Sequence, residues 1–459
     1  MSAGPASARD AVMSGEQAIL RLQRLDLRSI TPGSPAVDAW RRLVRRGAAP
    51  DASVRAAVRI IIEQVRAGGS GAVRDANRRF GGGLSDGSLV IGSATLSAAR
   101  DALEPRVRSA LDTAIANVRA FAETQRPTTT RTITQPGVDI ERRWTPIARV
   151  GAYVPGGSAP YPSSVVMTVV PARVAGVGSV VVATPAGPDG RLDPVLLGAA
   201  GLLEVDAILV AGGAQAIAAL ALGLPDEGLD PVDRIVGPGN AWVTAAKIEL
   251  VGDVGIDLPA GPSEGMVLAG PPADPVVVGA DLITQAEHGP DSPAILVTTE
   301  PAFADQVERA IGELLRDAPR RAILERSLGV HGRVVLVADL DAAIRLINEY
   351  APEHLSVDVQ PLEETVVRLT NAGSIFVGPW APESAGDYAT GANHVLPTGG
   401  LARSTGPLAV ETFGRFSQVQ RITREGLAGL RPAITTLADA EGLRAHRDAV
   451  EIRFERESR

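Results

Sequence analysis

Apolar residues follow helical spacing in the first third of the chain. Ser34 and Pro35 predict a helix start, because serine caps helix N-termini and proline suits the first helical turn. From residue 51 apolar positions recur at helical spacing until Gly68 and Gly69, where two glycines predict a stop. Residues 71–80 and 94–126 are typical of further helices, with a short strand predicted at 88–91. Residues 1–30 show weak periodicity and are expected to be a tail with a short helix.

From about residue 145 the pattern changes to short aliphatic runs that alternate with helical segments. One series of runs covers residues 179–184, 207–213 and 233–239, and a second covers 266–270, 294–299, 333–338, 355–359 and 374–379. Nearly continuous aliphatic strands separated by helices indicate parallel sheets with both faces covered. Each series is large enough for one domain, so the sequence predicts an α/β protein with two doubly wound domains and mostly parallel sheets.

Two later segments lie outside this alternation. Residues 383–407 form a long irregular stretch, and its aromatic and histidine content favours a functional loop. Residues 408–459 are predicted to be helices. They are too few to hold a core of their own, so we expect this tail to pack on another domain or subunit.

Composition excludes several kinds of chemistry. The chain has no cysteine, which excludes disulfides, cysteine-ligated zinc, iron–sulfur clusters and thiol nucleophiles. Lys247 is the only lysine beside 44 arginines, so a pyridoxal-phosphate enzyme would have a single Schiff-base candidate. A net charge of −8 argues against a nucleic-acid partner. The longest uncharged stretch, residues 150–172, contains four prolines and the N-terminus lacks an apolar signal core, so we expect a cytoplasmic protein without a membrane segment.

Gln285 and His288 are the first candidates for a site. They lie three residues apart on a predicted helix that ends at Gly289, so both side chains point the same way. Without cysteine, a zinc ion would need histidine, carboxylate or amide ligands, and this pair is a candidate half of such a site. The alternative is a polar helix end capped by a histidine.

Two of the four further histidines have both a functional and an ordinary interpretation. Glu353 and His354 are adjacent at a helix-to-strand junction, where they are either two bases of different strength or two surface charges in a turn. Asp387 and His394 lie in the irregular stretch, as a metal ligand and a substrate contact or as structural hydrogen-bonding groups. Taken alone, His446 in the final predicted helix, with Glu441 five residues upstream, is ordinary helix surface, and His331 is expected to be an ordinary turn residue.

Glycine-rich turns suggest a nucleotide site without defining one. No GxGxxG motif follows a predicted strand. The sequence VGPGN at 236–240 lies between a strand and a helix, where backbone amides could meet a phosphate, although tight strand-to-helix turns need glycine anyway. Lys247 on the following helix is either functional or a surface lysine.

Taken together, these segments resemble the histidinol dehydrogenase family in their order along the chain and, almost entirely, in their amino-acid sequence. The matching segments are GAYVPGGSAPYPSSVVMTVVPA, VGPGNAWVTAAK, DLPAGPSE, LITQAEHGPDS, YAPEHLSV and NAGSIFVGPWAPESAGDYATGANHVLPT. The resemblance continues into AEGLRAHRDAVEIR and covers about residues 45–455. The first residues lie outside it, and Met13 is an alternative start.

The resemblance implies an enzyme of histidine biosynthesis that oxidises L-histidinol through L-histidinaldehyde to L-histidine with two NAD⁺. It implies one Zn²⁺ per subunit, held by Gln285, His288, Asp387 and His446, and Glu353 and His354 as the catalytic bases. The implied cofactor contacts are Tyr153, Gln215 and Asn240. The implied substrate contacts are Ser263 and Glu441 together with His354 and the four zinc ligands.

The resemblance also implies an organisation. The expected domains are an N-terminal tail and helical segment at 1–45, a discontinuous catalytic Rossmann-like domain at 46–150 and 265–407, an inserted NAD-binding Rossmann-like domain at 151–264, and a helical tail at 408–459. The implied assembly is a cytoplasmic homodimer in which the tail, with Glu441 and His446, reaches the active site of the other subunit. No nucleic-acid or membrane partner is expected.

Three alternatives remain open at this point. A relative in the same fold could be a zinc- and NAD-linked dehydrogenase of another small hydroxyl compound, although Glu441 favours an amine-bearing substrate. A zinc hydrolase would use the same metal and base without NAD. A non-catalytic scaffold would have no reason to hold Glu353, His354 and all four ligand positions together.

Overall fold

The computed structural model describes residues 21–29, 33–156 and 159–456. These residues form two compact units. Unit 1 contains the described residues up to Gly47, Pro262–Ser384 and Thr398–Ser404. Unit 2 contains Ala48–Gly261, Ala385–Pro397 and the described residues from Thr405 onward.

The strands of the described residues, numbered along the chain, are β1 (Gln23–Asp26), β2 (Val90–Gly92), β3 (Thr130–Gln135), β4 (Val138–Pro146), β5 (Arg149–Tyr153), β6 (Ser179–Thr184), β7 (Ala207–Val210), β8 (Arg234–Val236), β9 (Gly255–Ile256), β10 (Gly265–Ala269), β11 (Ala294–Thr298), β12 (Arg333–Leu336), β13 (His354–Asp358), β14 (Ser374–Val377) and β15 (Gly414–Ile422).

The α-helices of the same residues are α1 (Pro35–Val44), α2 (Ala52–Phe80), α3 (Ser93–Asp101), α4 (Pro105–Glu123), α5 (Pro162–Ala175), α6 (Pro194–Leu202), α7 (Gly213–Leu222), α8 (Ala241–Glu249), α9 (Pro275–Glu287), α10 (Pro301–Leu314), α11 (Arg321–His331), α12 (Leu340–Tyr350), α13 (Leu362–Arg368), α14 (Glu383–Tyr388), α15 (Arg424–Ala440) and α16 (Arg444–Glu455). Short 3₁₀ turns occur at Pro225–Glu227, Leu315–Asp317, Leu401–Arg403 and Val410–Phe413.

Unit 1 is built on a six-stranded sheet in the order β1-β12-β11-β10-β13-β14, in which every neighbouring pair is parallel. Alternate residues of its strands enter two cores. Met266 and Leu268 of β10 pack into one core, while Val267 and Ala269 pack into the other. Because both faces are covered, the strands are aliphatic along their whole length, which is the pattern that predicted them.

Unit 2 contains a second six-stranded sheet in the order β2-β7-β6-β5-β8-β9. Only β2 at one edge is antiparallel to its neighbour, and the other pairs are parallel. Val180 and Val182 of β6 enter one core, and Val181 and Ala183 enter the other. The prediction of two doubly wound domains with mostly parallel sheets is therefore confirmed.

Unit 2 also contains a three-stranded antiparallel sheet in the order β15-β4-β3. Its edge strands β3 and β15 are largely polar and exposed, as in β3 with the sequence TRTITQ, whereas the central strand β4 is mostly half-buried. The prediction that residues 408–459 are only helices is wrong, because β15 lies between the short turn at Val410–Phe413 and α15. The remaining part of the tail forms α15 and α16, as expected.

Several local predictions are confirmed. Ser34 caps α1 and its side chain accepts a hydrogen bond from the backbone N–H of Val37. The predicted helix stop coincides with Gly69, where α2 is interrupted by a residue with a φ of 51°.

Part of the expected N-terminal tail, residues 1–20, lies outside the described residues. The helix expected within residues 1–30 is not found between 21 and 29, where β1 forms an edge strand of the unit 1 sheet.

The division of the chain differs from the expected one. Residues 48–150 belong to unit 2 and not to the domain that contains residues 265–384. The physical reason is their packing, since β2 pairs with β7 and apolar side chains of α2, such as Val58 and Ile62, enter a core of unit 2. Residues 385–397 and 405–407 are also part of unit 2. The catalytic and cofactor-binding roles expected for the two domains stay predictions.

Of the helices in the described residues, none combines the length and the apolar character needed to cross a bilayer.

Candidate active site

The candidate residues of unit 1 meet at the amino edge of its parallel sheet. Gly265 at the start of β10 pairs with His354 at the start of β13, so the residues just before these strands, Ser263 and Glu353, become neighbours. Helices in such sheets run back against the strands, which brings the end of α9 to the same edge. Its last turn carries Gln285, and His288 is its C-cap. The negative end of the α9 dipole favours a cation there.

Glu353 is a buried carboxylate held by hydrogen bonds. Its Oε2 accepts from the Ser263 hydroxyl at 2.8 Å and from the backbone N–H of Glu264 at 2.9 Å. Burial raises the pKa of Glu353 to about 7, against the opposing effects of His354 and of these two hydrogen bonds. A carboxyl group whose pKa lies near neutrality can accept a proton under ordinary conditions, which suits it for general base chemistry.

His354 is buried beside this carboxylate. Its Nδ1 lies 3.7 Å from Glu353 Oε2 and 3.7 Å from Glu383 Oε1, and this nitrogen has no hydrogen-bond partner. The ring stacks on that of His288, with centroids 5.9 Å apart and planes inclined by 15°. An imidazole nitrogen that is held in place but left without a partner is suited to exchange a proton with a bound molecule.

Glu383 is a site residue that the sequence did not reveal. It begins α14, is 3% exposed, and its Oε1 lies 2.9 Å from His288 Nε2. Burial acts to raise its pKa, but His354 and His288 outweigh burial, so the pKa of Glu383 is lower than usual and the group stays ionised. A helix prediction over residues 383–388 would have revealed it, because Glu383 and Asp387 are then one turn apart on the same face.

His288, Glu383 and Asp387 each offer a ligand atom, and these atoms lie within 4.8 Å of one another. The boundary between the units falls inside α14, after Ser384, so the spacing of Glu383 and Asp387 is set by that one helix. Imidazole and carboxylate groups at this separation can bind a divalent metal ion such as zinc.

Gln285 adds an oxygen to the same region. Its amide nitrogen donates to the Ser263 hydroxyl at 3.3 Å, which leaves the buried Oε1 without a hydrogen-bond partner. A side chain on Gly265 is excluded, because a Cβ there would lie 2.5 Å from Gln285 Oε1. A buried amide oxygen without a donor is costly unless a cation or a ligand satisfies it. The donor set therefore fits a metal ion.

The expected cofactor contacts lie at the carboxyl edge of the unit 2 sheet, where ligands of doubly wound sheets usually bind. Tyr153 ends β5, Gln215 lies in the first turn of α7, and Asn240 caps α8. The Tyr153 hydroxyl accepts from the backbone N–H of Gly213 at 3.2 Å, and burial raises the pKa of Tyr153. Tyr153 and Gln215 are buried, whereas Asn240 is exposed.

The other histidines have structural positions. His331 is the last residue of α11, so the expectation that it lies in a turn is wrong. His394 Nε2 lies 3.2 Å from the Ser164 hydroxyl, and its Nδ1 lies 2.9 Å from the backbone oxygen of Asp387. These contacts agree with the structural alternative for His394, which holds the backbone of the neighbouring metal candidate.

A family model described as histidinol dehydrogenase matches residues 44–454. The chain belongs to the histidinol dehydrogenase family. A histidinol dehydrogenase of Leifsonia xyli subsp. xyli is 46% identical over 441 residues, which cover 95% of this chain and 99% of that protein. A histidinol dehydrogenase of Halobacterium salinarum is 46% identical over 416 residues, which cover 90% of this chain and 96% of that protein.

A solved histidinol dehydrogenase shows the same fold. The crystal structure of the enzyme from Elizabethkingia anophelis aligns with a TM-score of 0.86 and 34% sequence identity, over 95% of this chain and 99% of that one. The α/β fold described above is thus that of a histidinol dehydrogenase.

Two residues expected from the histidinol dehydrogenase resemblance are outside the cluster. Glu441 follows α15 as its C-cap and His446 lies in α16, and both residues are exposed on the terminal helices of unit 2. Their expected place in the active site of a second subunit stays a prediction.

Proposed function

We propose that this chain oxidises L-histidinol to L-histidine through L-histidinaldehyde, with NAD⁺ as the hydride acceptor in both steps. The observation that carries the proposal is the buried pair Glu353 and His354 beside the ligand atoms of His288, Glu383 and Asp387, in a chain of the histidinol dehydrogenase family. The activity belongs to histidine biosynthesis, and we place the enzyme in the cytoplasm as a homodimer.

A zinc ion, one per subunit, would be held by Gln285, His288 and Asp387, with His446 as the fourth ligand. The unpartnered oxygen of Gln285 supports this set. When bound, zinc supplies Lewis acidity and fixes the orientation of the amino alcohol. Ser263 and Glu441 would contact the substrate, and Glu441 would pair with its ammonium group.

His354 is the base of the first oxidation. The substrate hydroxyl gives its proton to the imidazole while the carbon-bound hydrogen leaves as hydride to NAD⁺, which yields the aldehyde and NADH. The unpartnered Nδ1 of His354, held between Glu353 and Glu383, is the nitrogen that this transfer needs. The cofactor would contact Tyr153, Gln215 and Asn240.

Glu353 is the base of the second oxidation. A chain without cysteine has no thiol to trap the aldehyde, so water must add to the carbonyl carbon. Glu353 takes a proton from that water as the C–O bond forms, which leaves the anion of the aldehyde hydrate. This anion then loses a hydride to a second NAD⁺, which yields the carboxylic acid and NADH. The pKa of about 7 that burial gives Glu353 suits a group that must be ionised to act and protonated afterwards.

The direct test counts NADH formed per L-histidinol consumed by the zinc-loaded protein, with and without a chelator. We expect two NADH, lost on chelation and restored by zinc. One NADH would contradict the second oxidation and the role of Glu353. No NADH from folded, zinc-loaded protein would overturn the substrate assignment and favour another small hydroxyl compound.

A further inference from the structure

Lys247 is the one lysine in a chain that otherwise carries its positive charge on 44 arginines. It lies on α8, directly after the VGPGN turn, and is 1% exposed. The alternative of a surface lysine is therefore wrong. A buried ammonium group is costly unless it is paired and hydrogen-bonded, so its surroundings should explain why it is there.

Three oxygen atoms surround this ammonium group. The Nζ donates to the backbone oxygen of Gly237 at 3.0 Å and to that of Leu258 at 2.9 Å, and it forms an ion pair with Asp257. An ammonium group has three hydrogens, and these three oxygens within the protein match that number. An arginine would not fit the same position, because its guanidinium group is larger and planar, whereas the ammonium group of lysine is compact.

Asp257 holds the other side of the same glycine. Its Oδ2 accepts from the backbone N–H of Gly237 at 2.7 Å, while its Oδ1 faces Lys247. The N–H of Gly237 is thus held by Asp257 and its C=O by Lys247. The two side chains form a clamp on one residue of the turn, and we call them the Gly237 clamp.

Gly237 needs such a clamp because of its conformation. Its φ is 107°, in the region that only glycine adopts readily, and a Cβ would lie 2.2 Å from the backbone oxygen of Tyr153. The turn therefore packs closely against the end of β5, where Tyr153 is one expected cofactor contact. It then leads within three residues to Asn240, which is another.

We infer that Lys247, together with Asp257, is a positioning residue for dinucleotide binding, which fixes residues 237–240 against Tyr153 without touching the cofactor. This inference rests on the proposed function, since Tyr153 and Asn240 are cofactor contacts only there. The single lysine lies where a compact cation contacts two backbone oxygens and a carboxylate in a buried space.

The test measures NAD⁺ binding by calorimetry, without turnover, in zinc-loaded protein. Lys247→Met alone leaves the Asp257 charge buried and unpaired, so the informative variant is the double substitution Lys247→Met, Asp257→Asn. We expect NAD⁺ binding to weaken at least about tenfold. L-histidinol binding should change less than about twofold, because none of its expected contacts lies within residues 237–257.

Glu249→Gln is the matched control. Glu249 ends the same helix and pairs with Arg55 and Arg59, so its loss also removes ion pairs from α8 without altering the Gly237 clamp. NAD⁺ affinity in this variant should equal that of the wild type. Equal NAD⁺ affinity in the double variant and the wild type would overturn the inference. No NAD⁺ binding by the wild type would overturn the proposed function itself.

Amine acetylation separates positioning from direct contact. Lys247 is the only side-chain amine, so mass spectrometry of the acetylated protein reports on this one group. We expect slow acetylation of the native protein that NAD⁺ does not change. Rapid acetylation that NAD⁺ suppresses would show an accessible lysine in contact with the cofactor and would contradict the inference.

Discussion

At the scale of single residues, the two oxidations make different demands on Glu353. Only the second step adds water, and only water needs the base that we assign to this carboxylate. Glu353→Gln keeps the size of the side chain and removes the base. We expect histidinaldehyde oxidation to fall by about 10²–10⁴-fold while histidinol oxidation to the aldehyde is largely spared. The two rates are measured separately from NADH formation with each substrate.

His354→Asn provides the comparison for Glu353→Gln. His354 acts in the first step, and the second step follows from it, so this variant should lose the overall reaction by about 10²–10⁴-fold. Equal losses of both oxidations in Glu353→Gln would contradict the assignment of Glu353 to water activation.

The burial of Glu353 also predicts a pH dependence. Burial raises its pKa to about 7, and the group must be ionised to accept a proton from water. Histidinaldehyde oxidation should therefore rise with pH up to about 7, and below that value it should fall by about tenfold per pH unit. In Glu353→Gln the residual rate should lose this dependence. A wild-type profile that stays flat from pH 5 to pH 8 would contradict the assignment.

Part of the residue-level site could be predicted from the sequence. Gln285 and His288 are three apart on a helix, and Glu353 and His354 are adjacent at a junction, so local spacing alone brought each pair together. Glu383 could not be found in this way. Its place beside His288 depends on a short helix inside a stretch with glycine and proline on both sides, and on packing against a strand edge remote in sequence.

At the scale of elements, the end of α9 and helix α14 together supply the three candidate metal ligands His288, Glu383 and Asp387. Glu383 begins α14, and its carboxylate lies beside the ring of His288 at the end of α9. Carboxylates next to metal-binding histidines typically contribute 10- to 100-fold to metal affinity, because they orient the ring and raise its basicity. Glu383→Gln should therefore weaken zinc binding by about 10- to 100-fold. Zinc retained after competition with a chelator is the measurement.

Glu308→Gln is a matched control for this prediction. Glu308 is also a buried carboxylate of unit 1, at 1% exposure, but it pairs with Arg21 and Arg24 near β1. Its loss should lower stability and leave zinc binding unchanged. If both variants lose zinc equally, general destabilisation explains the loss and Glu383 has no specific part in metal binding.

Predictability of an element depended on which side chains its fold buries. The strands β6, β10, β11 and β12 are buried on both faces and therefore appear in the sequence as aliphatic runs. The edge strands β3 and β15 of the antiparallel sheet are largely exposed and polar, so they carry no such run, and β15 could not be predicted for that reason. Strand β1 has the sequence QRLD and depends on its pairing with β12.

At the scale of the whole molecule, helical periodicity shows that a face will be buried but not what will cover it. Residues 48–150 have the pattern of helices, and this pattern suits either sheet. Their assignment to unit 2 follows from the pairing of β2 with β7 and the packing of α2, which are contacts between segments more than 100 residues apart. No local pattern contains that information.

The proposed homodimer gives the last prediction, since it requires each active site to combine two chains. His354→Asn changes the part of a site that lies in unit 1 of one chain. His446→Ala changes the part that the terminal helices of the other chain would supply. In a dimer of one of each, one site carries both defects and the other carries neither. An equal mixture that exchanges subunits freely forms about half mixed dimers, so about a quarter of the wild-type activity should return. Mixing His354→Asn with His288→Ala should restore none, because both defects lie in the part of the site that the same chain supplies and His288→Ala blocks both oxidations through the loss of zinc. Recovery in neither mixture, with subunit exchange confirmed by native mass spectrometry, would show that His446 serves the site of its own chain.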